Sequence, residues 1–120
     1  AVGDRRLAEL LGVALTQHGM TSDVVSDGIT ALEQVTAQEY RVVVLDRDLP
    51  AVGGDVVCTH LTAAHRETRI LLLISDIRQH REWWLGADEC VTAPFSAAVI
   101  TARVLALGAA EPDVGYRQAL

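Results

Sequence analysis

Aromatic residues make up only 4% of the 120-residue chain, although half of it is apolar. A core drawn from this composition is aliphatic, built of Leu, Val, Ile and Ala. Cysteine is equally scarce. Cys58 and Cys90 stand alone with no CxxC pair, which excludes a disulfide framework and reads as a reduced protein of the cytoplasm. His18, His60, His65 and His80 fall at no ligand-like spacing, which sets aside a zinc site. No apolar run approaches the ~18 residues of a membrane span, no stretch reads as a signal peptide, and there is no internal repeat. Positive charge is short as well. Ten basic residues against sixteen acidic ones leave a net charge of −6, too acidic for a surface that grips a nucleic-acid backbone. Any DNA contact is expected to belong to a separate effector domain. A Gly-rich phosphate loop and a base–nucleophile pair are both missing, so an enzyme is not expected.

What is present is an alternation of helical and strand-like segments. Leu7, Leu10, Leu11 and Ala14 fall on one helical face, and Gly19 reads as the residue that ends that helix. Residues 20–25 suggest a short strand, 26–28 a turn, and 29–38 a helix with Leu32 and Val35 inward. Val42–Leu45 is an apolar run of the kind buried on both faces. A third helix is expected over 55–65 with Val57, Leu61 and Ala64 on one side. "RILLLIS" reads as another buried strand, 77–85 as a short helix, "ECVT" as a short strand, and the segment after Phe95 as a last helix capped by Ser96. Strands alternating with helices imply an α/β doubly wound parallel sheet with helices on both faces. Residues 1–110 are expected to form that domain and 111–120 a linker or tail.

Ligands of such open sheets sit beyond the carboxyl ends of the strands. Asp46 ends one strand there, Ser75 and Asp76 end another, and Ala93–Pro94 follow a third. With these in place the chain resembles the receiver domain of bacterial two-component response regulators, in particular the winged-helix transcription-factor subgroup. "LDRDLPAVGG" resembles the phosphoacceptor segment, "ILLLIS" the strand ending in a switch hydroxyl, "GADECVTAPF" the segment that normally carries Lys-Pro-Phe, and "SDGITAL" the turn into the second helix. The resemblance implies a flavodoxin-like fold with strand order 2-1-3-4-5. It implies Asp46 as phosphoacceptor, Ser75 as switch hydroxyl, and a pocket edged by Asp4, Asp48, Asp76, Ala93 and Pro94. It also implies a sensor histidine kinase as phosphoryl source, with Mg²⁺ held by the acceptor and an acidic pair.

The sequence departs from that pattern where charge matters most. Ala93 stands at the lysine position and Cys90 at the switch aromatic. Val2 and Gly3 fall at the acidic pair, which leaves Asp46, with Asp4 one position late, as a thin Mg²⁺ site. A phosphoryl group brings about −2 of charge, Asp76 would repel it, and Arg47 and Arg78 are the only nearby cations. The expectation is an atypical receiver with weak or no Mg²⁺-dependent phosphorylation. The alternative is a phosphate-independent module that dimerises or binds a small ligand. Because the family's first strand is missing ahead of Val2, residues upstream of Ala1 are expected to complete the sheet. The stretch from Ser75 to Gly86 is also about one helical turn short.

In the last helix, Ile100, Val104 and Leu107 can face the core. Val99, Ala102, Leu105, Ala106 and Ala109 then lie outside that stripe, with Arg103 the single charge. Exposed apolar patches mark interaction surfaces, and Trp is enriched in them. Together with Trp83, Trp84 and Glu89, the residues Val99, Arg103 and Leu105 are expected to pair two copies through the family's fourth-helix, fifth-strand, fifth-helix face.

Overall fold

The computed structural model of the chain describes residues 2–23, 25–49, 52–64, 67–75 and 86–108, and the backbone of 117–119. In chain order the elements are α1 (Arg5–Gln17), β1 (Ser22–Asp23), α2 (Gly28–Ala37), β2 (Tyr40–Asp46), α3 (Gly54–Ala63), β3 (Arg69–Ile74), β4 (Glu89–Thr92), α4 (Ala97–Gly108) and β5 (Arg117–Ala119). Local chemistry sets several boundaries. Asp4 caps α1 by accepting from the Leu7 N–H at 3.1 Å, and Asp27 caps α2 by accepting from the Thr30 N–H at 2.8 Å. Gly19 follows α1 at φ 77°, the left-handed position where glycine carries no steric penalty. Ser96 caps α4 through the Val99 N–H at 3.4 Å.

The strands form one parallel sheet in the order β1-β5-β2-β3-β4. Successive strand side chains point to opposite faces, and this divides the core in two. Val43, Leu45, Ile70, Leu72 and Ile74 pack with Ala31 and Val35 of α2 and with Val57, Cys58 and Leu61 of α3. Val42, Val44, Leu71 and Leu73 pack on the other face with Leu7, Leu11 and Leu15 of α1 and with Ile100 and Val104 of α4. Burial on both faces is why β2 and β3 read as unbroken apolar runs. No helix among the described residues is long and apolar enough to cross a membrane.

Three expectations need correction. Leu10 is 51% exposed and Ala14 half-buried, while Ala8 and Leu15 join Leu7 and Leu11 in the core. The spacing of Leu7 and Leu11 fits either neighbouring stripe, and docking of α1 against α4 and the sheet selects the second. Ala64 is exposed, and Cys58 takes its place inside. Finally, three residues of the expected tail lie within the sheet. Gln118 and Ala119 pair with Ser22 and Asp23 on one side and with Val42 and Val43 on the other. This is the position that the family's first strand holds in the order 2-1-3-4-5. Among the described residues no strand precedes α1. Fully buried Val2 continues the same column, its N–H donating to the Val25 carbonyl at 3.1 Å. The expected helix over 77–85, with Trp83 and Trp84, lies outside the described residues.

Candidate functional site at the carboxyl edge of the sheet

Strand register brings the site together. Asp46 lies opposite Leu73, and Ile74 opposite Thr92, so Asp46, Ser75 and Ala93 emerge at the same edge. Two backbone bonds extend the ladder beyond the strand ends. The Arg47 N–H donates to the Leu73 carbonyl at 2.9 Å and the Ala93 N–H to the Ile74 carbonyl at 3.0 Å. The loop after Asp46 then folds back. The Asp48 N–H donates to Asp46 Oδ1 at 3.1 Å, and the Gly54 N–H to the Arg47 carbonyl at 3.0 Å. A side chain on Gly54 would collide with the Asp46 carbonyl, and one on Gly28 with that of Val52. Glycine at both positions lets α2 and α3 begin tight against this loop.

Asp46 is half-buried, with Oδ1 turned to the Asp48 N–H. Its other oxygen, Oδ2, faces Gly3, where a Cβ would lie 3.5 Å away. Asp48 is exposed, with its carboxylate 4.0 Å from Nη1 of Arg47, whose side chain is 12% exposed. Arg47 is thus drawn to Asp48, as strand alternation away from Asp46 suggests. Ser75 and Ala93 are exposed, and the Ala93–Pro94 peptide is cis. The chain contains no lysine at all, so no amine from elsewhere in it can stand in at Ala93. Asp76 and Arg78 lie outside the described residues.

The resemblance to receiver domains implies Mg²⁺ at Asp46. The residues present here do not fit the ion. Asp4 turns Oδ1 to the cap of α1, Gly3 has no side-chain donor, and no group of three or more His, Cys, Asp or Glu side chains able to hold a metal occurs among the described residues. Asp46 alone is a weak hold for an ion that takes one or two carboxylates together with waters and phosphate oxygens.

Cys90 in β4 is partly buried against the α2–α3 core, and that burial pushes its thiol pKa up. A thiol held protonated is a poor nucleophile, so Cys90 acts as a small apolar filler. On α4, Ile100 and Val104 are buried and Leu107 partly so, while Val99 and Ala102 are exposed and Leu105 is half-buried. Sequence reasoning missed two polar anchors. Asp88 accepts from the Ile70 N–H at 2.7 Å while its own N–H donates to the Ile70 carbonyl at 2.9 Å, fixing where β4 joins β3. The buried Tyr40 hydroxyl lies within hydrogen-bond reach of Asp23 Oδ2 (3.0 Å) and Gln34 Oε1 (2.9 Å). Only tertiary contact reveals either role, since the partners lie up to 18 residues away.

A doubly wound parallel sheet with the Asp46 carboxylate at its carboxyl edge, beside a hydroxyl and a proline turn, is the architecture of a flavodoxin-like signal-accepting domain. Residues 3–105 match the response regulator receiver domain family, and the chain belongs to it. It is the receiver domain of a two-component response regulator. Its relatives are transcriptional regulators. The transcriptional regulatory protein CutR of Streptomyces coelicolor is 41% identical over 110 residues, covering 88% of this chain and 50% of the relative. TcrA of Mycobacterium tuberculosis is 35% identical over 112 residues, covering 89% of this chain and 44% of the relative. The chain therefore spans about half the length of these relatives. Among solved structures, the BeF3-activated DrrB receiver domain superposes with a TM-score of 0.76 at 29% identity, covering 88% of this chain and 90% of that one. The Francisella response regulator 1452 receiver domain, at 24% identity, shares the fold with a TM-score of 0.79 over 90% of this chain and 92% of that one.

Proposed function

We propose that this domain is the signal-accepting part of a transcriptional regulator whose DNA-binding effector domain lies elsewhere in a longer protein. It acts in the cytoplasm as a regulatory module rather than an enzyme. Asp46 holds the phosphoacceptor place and Ser75 the switch hydroxyl, with a sensor histidine kinase as the source of any phosphoryl group. Phosphorylation of Asp46 in the presence of Mg²⁺ is weak or absent. The observation that carries this is the missing family lysine at the edge. Ala93 is exposed where a cation would face the incoming group, the chain has no lysine, and Arg47 is turned to Asp48. A dianion beside a carboxylate without counter-charge is strongly disfavoured. The test is incubation with Mg²⁺ and acetyl phosphate or beryllofluoride, with Asp46→Asn as control. Mass spectrometry is expected to show little or no gain, and chemical shifts at Asp46 and Ser75 little change. A saturable response lost in Asp46→Asn would overturn the reading.

A second reading, phosphate-independent self-association, is favoured by the outer face of α4. Ala98, Val99, Ala102 and Ala106 are all exposed there, giving an apolar strip between β4 and the helix end. In this reading the domain is a homodimer before any signal arrives, with Leu105, Glu89 and Arg103 at the same face. Light scattering at micromolar concentration without a phosphodonor decides between dimer and monomer.

A further inference from the structure

The three glycines at the carboxyl edge differ in what they do. Gly28 and Gly54 are required by space, since a side chain at either runs into backbone. Gly3 is required by nothing comparable. Its φ is not among the positive glycine values, which occur at Gly19 and Gly86, so an L side chain fits its backbone. Gly3 is exposed, and among the described residues the one heavy atom that a Cβ would meet within 4 Å is Asp46 Oδ2, at the 3.5 Å of ordinary contact. Neither conformation nor packing explains glycine at this position. Its effect is to leave the outer oxygen of Asp46 facing empty side-chain space.

We infer that Gly3 is the residue that withholds a divalent cation from Asp46, and that a single carboxylate at position 3 creates a Mg²⁺ site on this edge. The inference rests on the reading that Asp46 is poorly phosphorylated, and it names the residue responsible for the cation half of that defect. Mg²⁺ is held by one or two carboxylates with waters completing an octahedron. Residue 3 is the place from which a second carboxylate reaches the same ion as Asp46 Oδ2. Asp4 has Oδ1 turned to the cap of α1 and away from a shared ion. Two carboxylates side by side repel unless a cation lies between them. A carboxylate at position 3 therefore destabilises the metal-free domain, and Mg²⁺ reverses the loss by binding the folded state.

The experiment is thermal melting and isothermal titration with magnesium chloride on wild type, Gly3→Asp, Gly3→Ala, and Gly3→Asp combined with Asp46→Asn. Wild type and Gly3→Ala are expected to melt at the same temperature with and without millimolar Mg²⁺. Gly3→Asp is expected to melt lower in chelator, to recover saturably with Mg²⁺, and to bind it at least about tenfold tighter than wild type. The gain disappears when Asp46→Asn is added. A folded Gly3→Asp domain indifferent to Mg²⁺ overturns the inference, as does a wild-type domain that binds Mg²⁺ through Asp46 as tightly as the variant. Should Gly3→Asp fail to fold, Gly3→Glu replaces it under the same criteria. The two claims fail separately: phosphoryl uptake by wild type removes the earlier reading, whereas a Mg²⁺-blind Gly3→Asp domain removes this one alone.

Discussion

Arg103 on α4 forms an ion pair with Glu89 on β4 within a single chain. The two residues are also the acid and base expected to contribute to a charged contact between copies. Because they satisfy each other internally, the exposed residues around them on α4 are left almost entirely apolar. This relationship shapes two expectations. Arg103→Ala breaks an exposed pair, so the unfolding free energy should change by less than about 1 kcal/mol. Urea denaturation checks that figure, and sedimentation should show self-association unchanged.

Val99 is 46% exposed on the same face. Val99→Glu places a charge in the apolar strip without entering the core. On the self-association reading, light scattering should report monomer for this variant at concentrations where wild type pairs, with unchanged thermal stability under conditions where both are monomeric. Equal masses for the two proteins would remove this strip from the interface.

Gly54 meets the backbone of Asp46 where α3 begins. Gly54→Ala forces backbone apart in a packed loop, and overpacking of this kind costs about 1–3 kcal/mol. Denaturant unfolding should show that loss. Gly3→Ala, facing only a side-chain oxygen, should show almost none, so the pair separates a glycine required by space from one that is not.

Asp27 is held below the ordinary aspartate pKa, first by the Thr30 backbone N–H and then by the Thr30 hydroxyl. A carboxyl whose folded pKa is depressed contributes stability that is fully present above its unfolded pKa and lost as pH falls through the folded one. The contribution of this cap should therefore fade below about pH 4. Asp27→Asn keeps an acceptor but does not titrate. Melting curves from pH 6 down to 3 should converge for the two proteins at the acid end.

Leu10 and Leu11 are adjacent in sequence and opposite in environment, one 51% exposed and the other fully buried. Leu11→Ala should destabilise by about 2–5 kcal/mol through the cavity it opens. Leu10→Ala should stay within about 0.5 kcal/mol of wild type. A reversal would mean that α1 packs on the stripe first expected from its spacing.

Much of the fold was legible along the chain because its signals are local. The apolar runs of β2 and β3 are buried on both faces and need no partner to be recognised. Ser96 caps α4 through a bond three residues long, and Gly19 ends α1 by its own backbone preference; Asp4, expected at the pocket, and Asp27, read only as part of a turn, cap α1 and α2 in the same way. Asp46, Ser75 and Ala93 could be assigned to one edge because parallel strands all present their carboxyl ends on the same side. What stayed hidden depends on contact between distant segments. Which leucines of α1 face inward is set by the surface it docks against, and two neighbouring stripes differ too little in hydrophobicity for spacing to choose. That residues 117–119 pair with β1 and β2 follows from the hydrogen-bonding needs of a central position in the sheet, not from any pattern in those three residues. Composition and periodicity alone thus determined a two-faced aliphatic α/β sheet with Asp46 at its carboxyl edge. The resemblance set residue 3 at the same site as Asp46, and tertiary structure decided that Asp46 Oδ2 faces it, since nothing local ties residue 3 to residue 46.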